Sequence, residues 1–130
     1  MKETKVAAVA AKHQNIADQL FKNVINAVHG LRAFRVKRHA DTLVISIGGR
    51  LLRCVYRLRG SAGSLCGELQ VIESNRLLRQ VFWNDEGTLT NGAFGRPLAE
   101  TVTSKGYAAA LIVQACNTLF DLREPILTRQ

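Results

Sequence analysis

The sequence has few of the residues that mark a secreted, membrane-spanning or disulfide-linked protein. Its 130 residues include two prolines, one methionine, one tryptophan and three cysteines. No apolar run approaches the roughly 18 residues that indicate a membrane span, and the short run 6–11 is followed at once by Lys12 and His13. An odd number of widely spaced cysteines does not suggest a disulfide framework. We therefore expect a cytoplasmic protein with no membrane contact.

Acidic residues are also scarce, and the resulting positive charge is concentrated in one segment. Lys and Arg number 18 against 10 acidic residues, which gives a formal charge of +8. Residues 32–59 carry eight of the bases and one acid, Asp41, and so supply +7 of that charge. Such a concentration produces a local field that attracts anions.

The remaining composition is that of a folded domain. Hydrophobic residues make up 47% of the chain and charged residues 22%, which excludes the low-hydrophobicity disordered class. The length suits one domain, which we place over residues 1–130.

Helical periodicity is clear at the N-terminus. A stripe of apolar residues and one histidine recurs at steps of three and four, which predicts an amphipathic helix over residues 5–28. The stripe consists of Val6, Val9, His13, Ile16, Leu20, Val24 and Val28. Gly30 is placed to end this helix.

Between residues 33 and 83 the apolar residues alternate with a period of two, which is typical of strands. Gly48-Gly49 favours a tight hairpin turn, Ser74-Asn75 does so less strongly, and the segment 60–63 reads as a longer loop. The five strands predicted from these signals span residues 33–37, 42–47, 50–58, 65–73 and 76–83.

The hairpin turns also predict which residues pair across the strands. We pair Ile47 with Arg50, then Leu58 with Leu65, and finally Glu73 with Arg76. This register makes one sheet face almost entirely apolar. Because a slip of one residue would move every side chain to the opposite face, the agreement supports an antiparallel meander.

The C-terminal part is expected to be helical. Pro97 opens a short helical turn that runs to Val102, and a long apolar helix extends from about Ser104 to Leu122, where Pro125 follows to end it. The predicted fold class is α+β: an N-terminal helix, a five-stranded antiparallel meander sheet and a C-terminal helix packed on one sheet face.

The second face of the predicted sheet mixes cations with apolar groups. Guanidinium groups match phosphate geometry, and their attraction to a nucleic-acid backbone does not depend on sequence. A tryptophan on the same face could stack on a base. We therefore expect a binding module for an anionic partner, with nucleic acid as the first candidate. The predicted contact residues are Arg35, Lys37, Arg53, Arg57, Arg79 and Trp83.

Other interpretations of the same chain stay open. Apolar residues rimmed by arginine resemble a protein interface, here for an acidic protein partner, and the C-terminal helix could mediate a homo-oligomer. A hydrophobic-ligand cavity between the Tyr56/Phe82 face and the last helix is a further alternative. The plainest interpretation is a solvated sheet face whose arginines pair with Glu68. The predicted protein-contact residues are Leu51, Ile72, Leu77 and Val81.

No residue pattern argues for an enzyme, and no cofactor or metal is indicated. The histidines, His13, His29 and His39, are not spaced with cysteines or acids in a metal-binding pattern. Cys54 and Cys66 are predicted on opposite sheet faces, where they cannot form a disulfide. Cys66 lies near Arg57 in this register, which could give it some thiolate character, but we expect an inert cysteine.

Overall fold

The structure is a computed structural model that describes residues 2–61 and 63–120. Its strands form a seven-stranded antiparallel sheet whose spatial order follows the chain order. The predicted α+β class is confirmed, with two short strands added to the five expected. The elements are α1 (Lys2–Val28), β1 (Phe34–His39), β2 (Thr42–Ile47), β3 (Arg50–Ser61), β4 (Ser64–Glu73), β5 (Arg76–Trp83), β6 (Thr88–Thr90), β7 (Pro97–Thr101) and α2 (Lys105–Phe120).

The predicted hairpin turn between β2 and β3 is confirmed. Gly48 and Gly49 have φ angles of +53° and +80°, and this left-handed pair matches the twist of the two strands. The predicted register follows, with Ile47 opposite Arg50 and Leu43 opposite Cys54.

The register between β3 and β4 differs from the prediction by two residues. The strands continue to the end of the hairpin, where Ser61 pairs with Ser64, so that Tyr56 lies opposite Leu69 rather than Gly67. Because a shift of two residues preserves the alternation, the side chains of β3 and β4 still face the sides predicted for them.

An irregularity between β4 and β5 changes the face of the five residues beyond it, 79–83. Val71 pairs with Arg79 and Ile72 with Leu77, which leaves Leu78 as an extra residue. A bulge of this kind inserts one residue and reverses the alternation beyond it. The expectation that Arg79, Val81 and Trp83 share the face of Arg53 is therefore wrong.

Both helices cover the same side of the sheet, called here the inner face, on which the buried residues Leu43, Ile45, Leu52 and Leu69 lie. Helix α1 packs against β1, β3 and β4, whereas α2 packs against β5 and α1. The buried residues of α2 recur at helical spacing, as the sequence pattern predicts. They are Tyr107, Ala108, Leu111, Ile112, Ala115 and Leu119.

Two C-terminal predictions have different outcomes. The segment Pro97–Thr101 is strand β7 rather than a helical turn, and its proline lies at the start of an edge strand, where a missing N–H is tolerated. The long helix is present as α2, but Leu122 and Pro125 lie outside the described residues. Among the helices of the described chain, none has the length and apolarity to cross a membrane.

Candidate functional site

The outer face of the sheet, opposite the helices, carries most of the predicted cations. Arg53 of β3 lies in one row with Val44 and Lys37, its neighbours on β2 and β1. The residues that we call the cationic patch are exposed and project from β1 and β3. They are Arg35, Lys37, Arg53, Arg57 and Arg59.

The spacing of the cationic patch follows from strand geometry. Neighbouring strands lie about 4.8 Å apart, so the Cα atoms of Lys37 and Arg53, two strands apart, are separated by roughly 10 Å. Arg53 and Arg57 are four residues apart on β3, or roughly 13 Å. Long flexible side chains at these spacings can contact successive groups of an extended anion.

Glu68 is the acidic residue among the strand residues of the outer face, and it is buried. Its side chain is 0% exposed and accepts hydrogen bonds from Arg59 Nη1 at 3.2 Å, from Gln70 Nε2 at 3.2 Å and from Gln80 Nε2. Burial raises the pKa of Glu68, and these three hydrogen bonds together lower it by more, so the net pKa is below its ordinary value. The carboxylate is ionised and internally paired.

Four members of the cationic patch make no ion pair with an acid within residues 2–61 and 63–120. They are Arg35, Lys37, Arg53 and Arg57; Arg59 is the member that pairs with Glu68. Arg53 Nη2 donates one long hydrogen bond, of 3.3 Å, to the Ser74 carbonyl. The outer face therefore presents positive charge to solvent with little internal neutralisation.

Arg79 and Trp83, predicted in this patch, lie on the inner face instead. Trp83 is 0% exposed, and its ring stacks on Tyr56 with centroids 5.8 Å apart. Arg79 lies near the Tyr107 hydroxyl of α2; burial raises the pKa of Tyr107 to about 12, although Arg79 itself lowers it. The physical cause is the β5 bulge described above.

Of the predicted protein-contact residues, one lies on the inner face and three lie on the outer face. Val81 is buried on the inner face, so its expected place in an outer surface is wrong. Ile72 is half-buried and pairs with Leu77. Leu77 and Leu51 are 48% and 55% exposed, and they give the turn end of the outer face an apolar character.

The Tyr56/Phe82 face, expected to border a ligand cavity against the last helix, is not formed, because the two residues lie on opposite faces of the sheet. Tyr56 lies on the inner face, where Trp83 covers it. Phe82 pairs with Glu68 on the outer face. The space beneath α2 is occupied by the packed side chains of the core.

Two cysteines and one histidine of the described chain, Cys54, Cys66 and His13, are buried. Cys54 and Cys66 are free and lie on opposite faces, as predicted. Burial raises the pKa of Cys54 to about 12 and also raises that of Cys66, so neither has thiolate character. His13 is buried and hydrogen-bonds Asp85 at 3.0 Å. No group of three or more metal-ligating side chains occurs in this part of the protein.

Sequence reasoning missed two exposed residues near the end of the β3–β4 hairpin. Arg59 follows Arg57 by two residues, and the signal was available because β3 keeps its alternation beyond the strand end predicted at residue 58. Phe94 lies in the loop between β6 and β7. An aromatic residue among the turn-forming residues Asn91, Gly92 and Gly95 was the sequence signal for it.

Comparisons of the chain with protein-family models, curated proteins and solved structures found no match. The outer face, with its exposed cations, is the feature of the fold that suggests a function.

Proposed function

We propose that this protein is a binding module that holds a nucleic acid against the cationic patch of its outer face. The observation that carries this proposal is the combination of four exposed cations with a buried, internally paired acid, Glu68, on one open sheet face. A polyanion is attracted to such a surface without any base-specific contact. The net charge of +8 adds a long-range attraction to the same partner.

The test measures binding of fluorescein-labelled oligonucleotides of mixed sequence by fluorescence polarisation. We expect affinity to fall steeply with salt, with a log–log slope of about −3 if four cations contact a single strand. Arg53→Glu should weaken binding about tenfold or more and make the slope shallower by about one. Circular dichroism should show an intact fold, because Arg53 is exposed.

Lys22→Glu is the matched control. It makes the same charge change at an exposed position of α1, on the helical side of the sheet. A module that binds through the outer face should lose far less affinity with Lys22→Glu than with Arg53→Glu. Equal losses in the two variants, salt-insensitive binding, or no binding to DNA and RNA oligonucleotides would overturn the proposal.

A second candidate function is docking of an acidic protein on the turn end of the outer face. The exposure of Leu51 and Leu77 beside Arg53 favours it, because interface cores combine apolar groups with arginine. Self-association through this face would bring like charges together. Leu77→Asp should abolish a stable complex in size-exclusion chromatography while leaving oligonucleotide binding unchanged.

A further inference from the structure

Phe94 is an aromatic side chain that the fold holds at the surface. It is 52% exposed, and its backbone has a φ of +58°, a left-handed conformation that is uncommon for a bulky residue and costs energy. The loop around it is closed by hydrogen bonds from Asn91 N to Arg96 O at 2.9 Å and from Gly95 N to Gly92 O at 3.0 Å. These bonds fix the backbone of the loop that carries the ring.

The end of the β3–β4 hairpin supports one side of Phe94. A Cβ atom at Gly60 would lie 2.8 Å from Phe94 Cζ, so the ring rests against the bare backbone of Gly60. The Phe94 backbone also lies near the Cys66 thiol, whose pKa it lowers against the larger effect of burial. With one side of the residue docked and about half of its surface open, the ring can receive a planar group from solvent.

Basic residues occur near this ring on a strand and on a helix. Arg59 is the cross-strand neighbour of Cys66 and so lies at the end of the outer face nearest the Phe94 backbone. Lys5 and Lys12 of α1 line a cleft that Phe94 also borders, and the acidic residues Asp85 and Glu86 line the same cleft. A single strand that stacks a base on Phe94 would have Arg59 close to its backbone at the end of β3, whereas the charges of the two lysines and the two acids in the cleft offset one another.

The cleft itself has room for an unpaired nucleotide. Its volume is about 770 Å³, within the size range of small-ligand pockets. Val6, Val9 and Leu65 contribute apolar surface to it. A base in a duplex is already stacked and paired and must be turned out to enter such a space, whereas a base in a single strand is free to do so.

From this arrangement we propose that Phe94 is a base-stacking residue, and that it makes the protein prefer single-stranded to double-stranded nucleic acid. The inference rests on the nucleic-acid binding proposed above and names the substrate class for that function. Stacking on an aromatic side chain accepts any base, because every base has a π-face. Selection by strand state without selection by sequence is the expected behaviour.

The test compares Phe94→Ala with the unaltered protein on a mixed-sequence single-stranded oligonucleotide and on its duplex. Loss of one base–aromatic stack should weaken single-strand binding about tenfold or more and leave duplex binding unchanged. Phe94→Tyr should bind the single strand as tightly as the unaltered protein does, because it keeps the aromatic ring. Leu98→Ala, at a residue of β7 that is 49% exposed, is the matched control and should change neither affinity.

A direct readout locates the stacked base. An oligonucleotide that carries 5-iodouracil should crosslink under near-ultraviolet light to a peptide that contains Phe94, as identified by mass spectrometry. The stacking proposal is wrong if Phe94→Ala binds single strands as well as the unaltered protein does, or if crosslinks form only on α2. Neither result would contradict binding of nucleic acid by the cationic patch. If no oligonucleotide binds the unaltered protein, the proposed function fails and the inference fails with it.

Discussion

Gly67 lies directly beneath the indole ring of Trp83, and the packing of this pair determines how the inner face closes around its largest side chain. The two residues are cross-strand partners in β4 and β5. A Cβ atom at Gly67 would lie 2.1 Å from both Cε2 and Nε1 of the indole. Glycine at this position gives the ring space to lie flat beside Tyr56.

Replacement of this glycine is predicted to destabilise the fold. Gly67→Ala must displace the indole ring, and overpacking of this kind costs typically about 1–3 kcal/mol of the free energy of unfolding. The loss can be measured by urea denaturation, followed by the fluorescence of Trp83, the single tryptophan of the chain.

Gly106→Ala is the matched control for that experiment. A Cβ atom at Gly106 has no neighbour within 4 Å, and alanine is the better helix former in α2 by about 0.5–1 kcal/mol. We expect its stability to be equal or higher. A Gly67→Ala protein as stable as the unaltered one would show that the indole does not occupy the space above β4.

At the scale of the elements, the two helices must hold fixed positions over the inner face. Asn23 of α1 is buried and donates a hydrogen bond of 2.7 Å to the Thr103 carbonyl, next to the start of α2. His13 joins α1 to the loop after β5 through Asp85. These polar contacts orient α1 while apolar burial supplies most of the attraction.

Ser104 caps the N-terminus of α2, and substitutions at this residue test the capping hydrogen bond. Ser104 Oγ accepts a hydrogen bond of 3.1 Å from Tyr107 N, which is the arrangement of a helix N-cap. Ser104→Ala should reduce the free energy of unfolding by about 1 kcal/mol, as measured by urea denaturation. Ser104→Asp should retain most of the stability, because its carboxylate can accept the same bond and favours the helix dipole. Equal losses in both variants would contradict the capping role.

At the scale of the whole molecule, carboxylates bonded by arginine or glutamine connect separate elements. Asp18 of α1 binds Arg38 of β1, and Glu73 of β4 binds Arg50 of β3. The hydrogen bond from Arg38 lowers the pKa of Asp18, and that from Arg50 lowers the pKa of Glu73. With Glu68, these groups make folding stability depend on ionised acids.

Acidification is therefore predicted to weaken the fold. Because these carboxyls bind protons less readily in the folded than in the unfolded chain, their contribution is present above the ordinary glutamate pKa of 4.5. It is lost as the pH falls through the lower pKa values of the folded state. Urea denaturation over a pH series should show a decline below about pH 4.5.

Glu68→Gln separates the contribution of one buried carboxylate from the others. This variant should be less stable at neutral pH. Its side-chain NH2 group is a donor and cannot accept the hydrogen bonds that Arg59 and Gln70 donate to the carboxylate. Its stability should decline less steeply in acid. Glu86→Gln, at an exposed turn, is the control and should keep the pH dependence of the unaltered protein. An unchanged acid slope in Glu68→Gln would contradict the pKa argument.

The amino-acid sequence by itself determined the fold class and the face of most strand residues. Alternation along β2 and β3, together with the Gly48-Gly49 turn, requires the pairing that is observed, since a slip of one residue would expose Leu43 and Ile45. The same alternation places four cations on the outer face, namely Arg35, Lys37, Arg53 and Arg57.

The tertiary structure alone decided which aromatic ring is buried and which reaches solvent. The bulge that turns Trp83 inward depends on how β5 pairs with β4 and on the space that Gly67 leaves. Both depend on residues far apart in the sequence, so the alternation along a single strand cannot predict them. Phe94 is exposed for a related reason, since its loop is closed by its own hydrogen bonds and rests on Gly60, from a different strand.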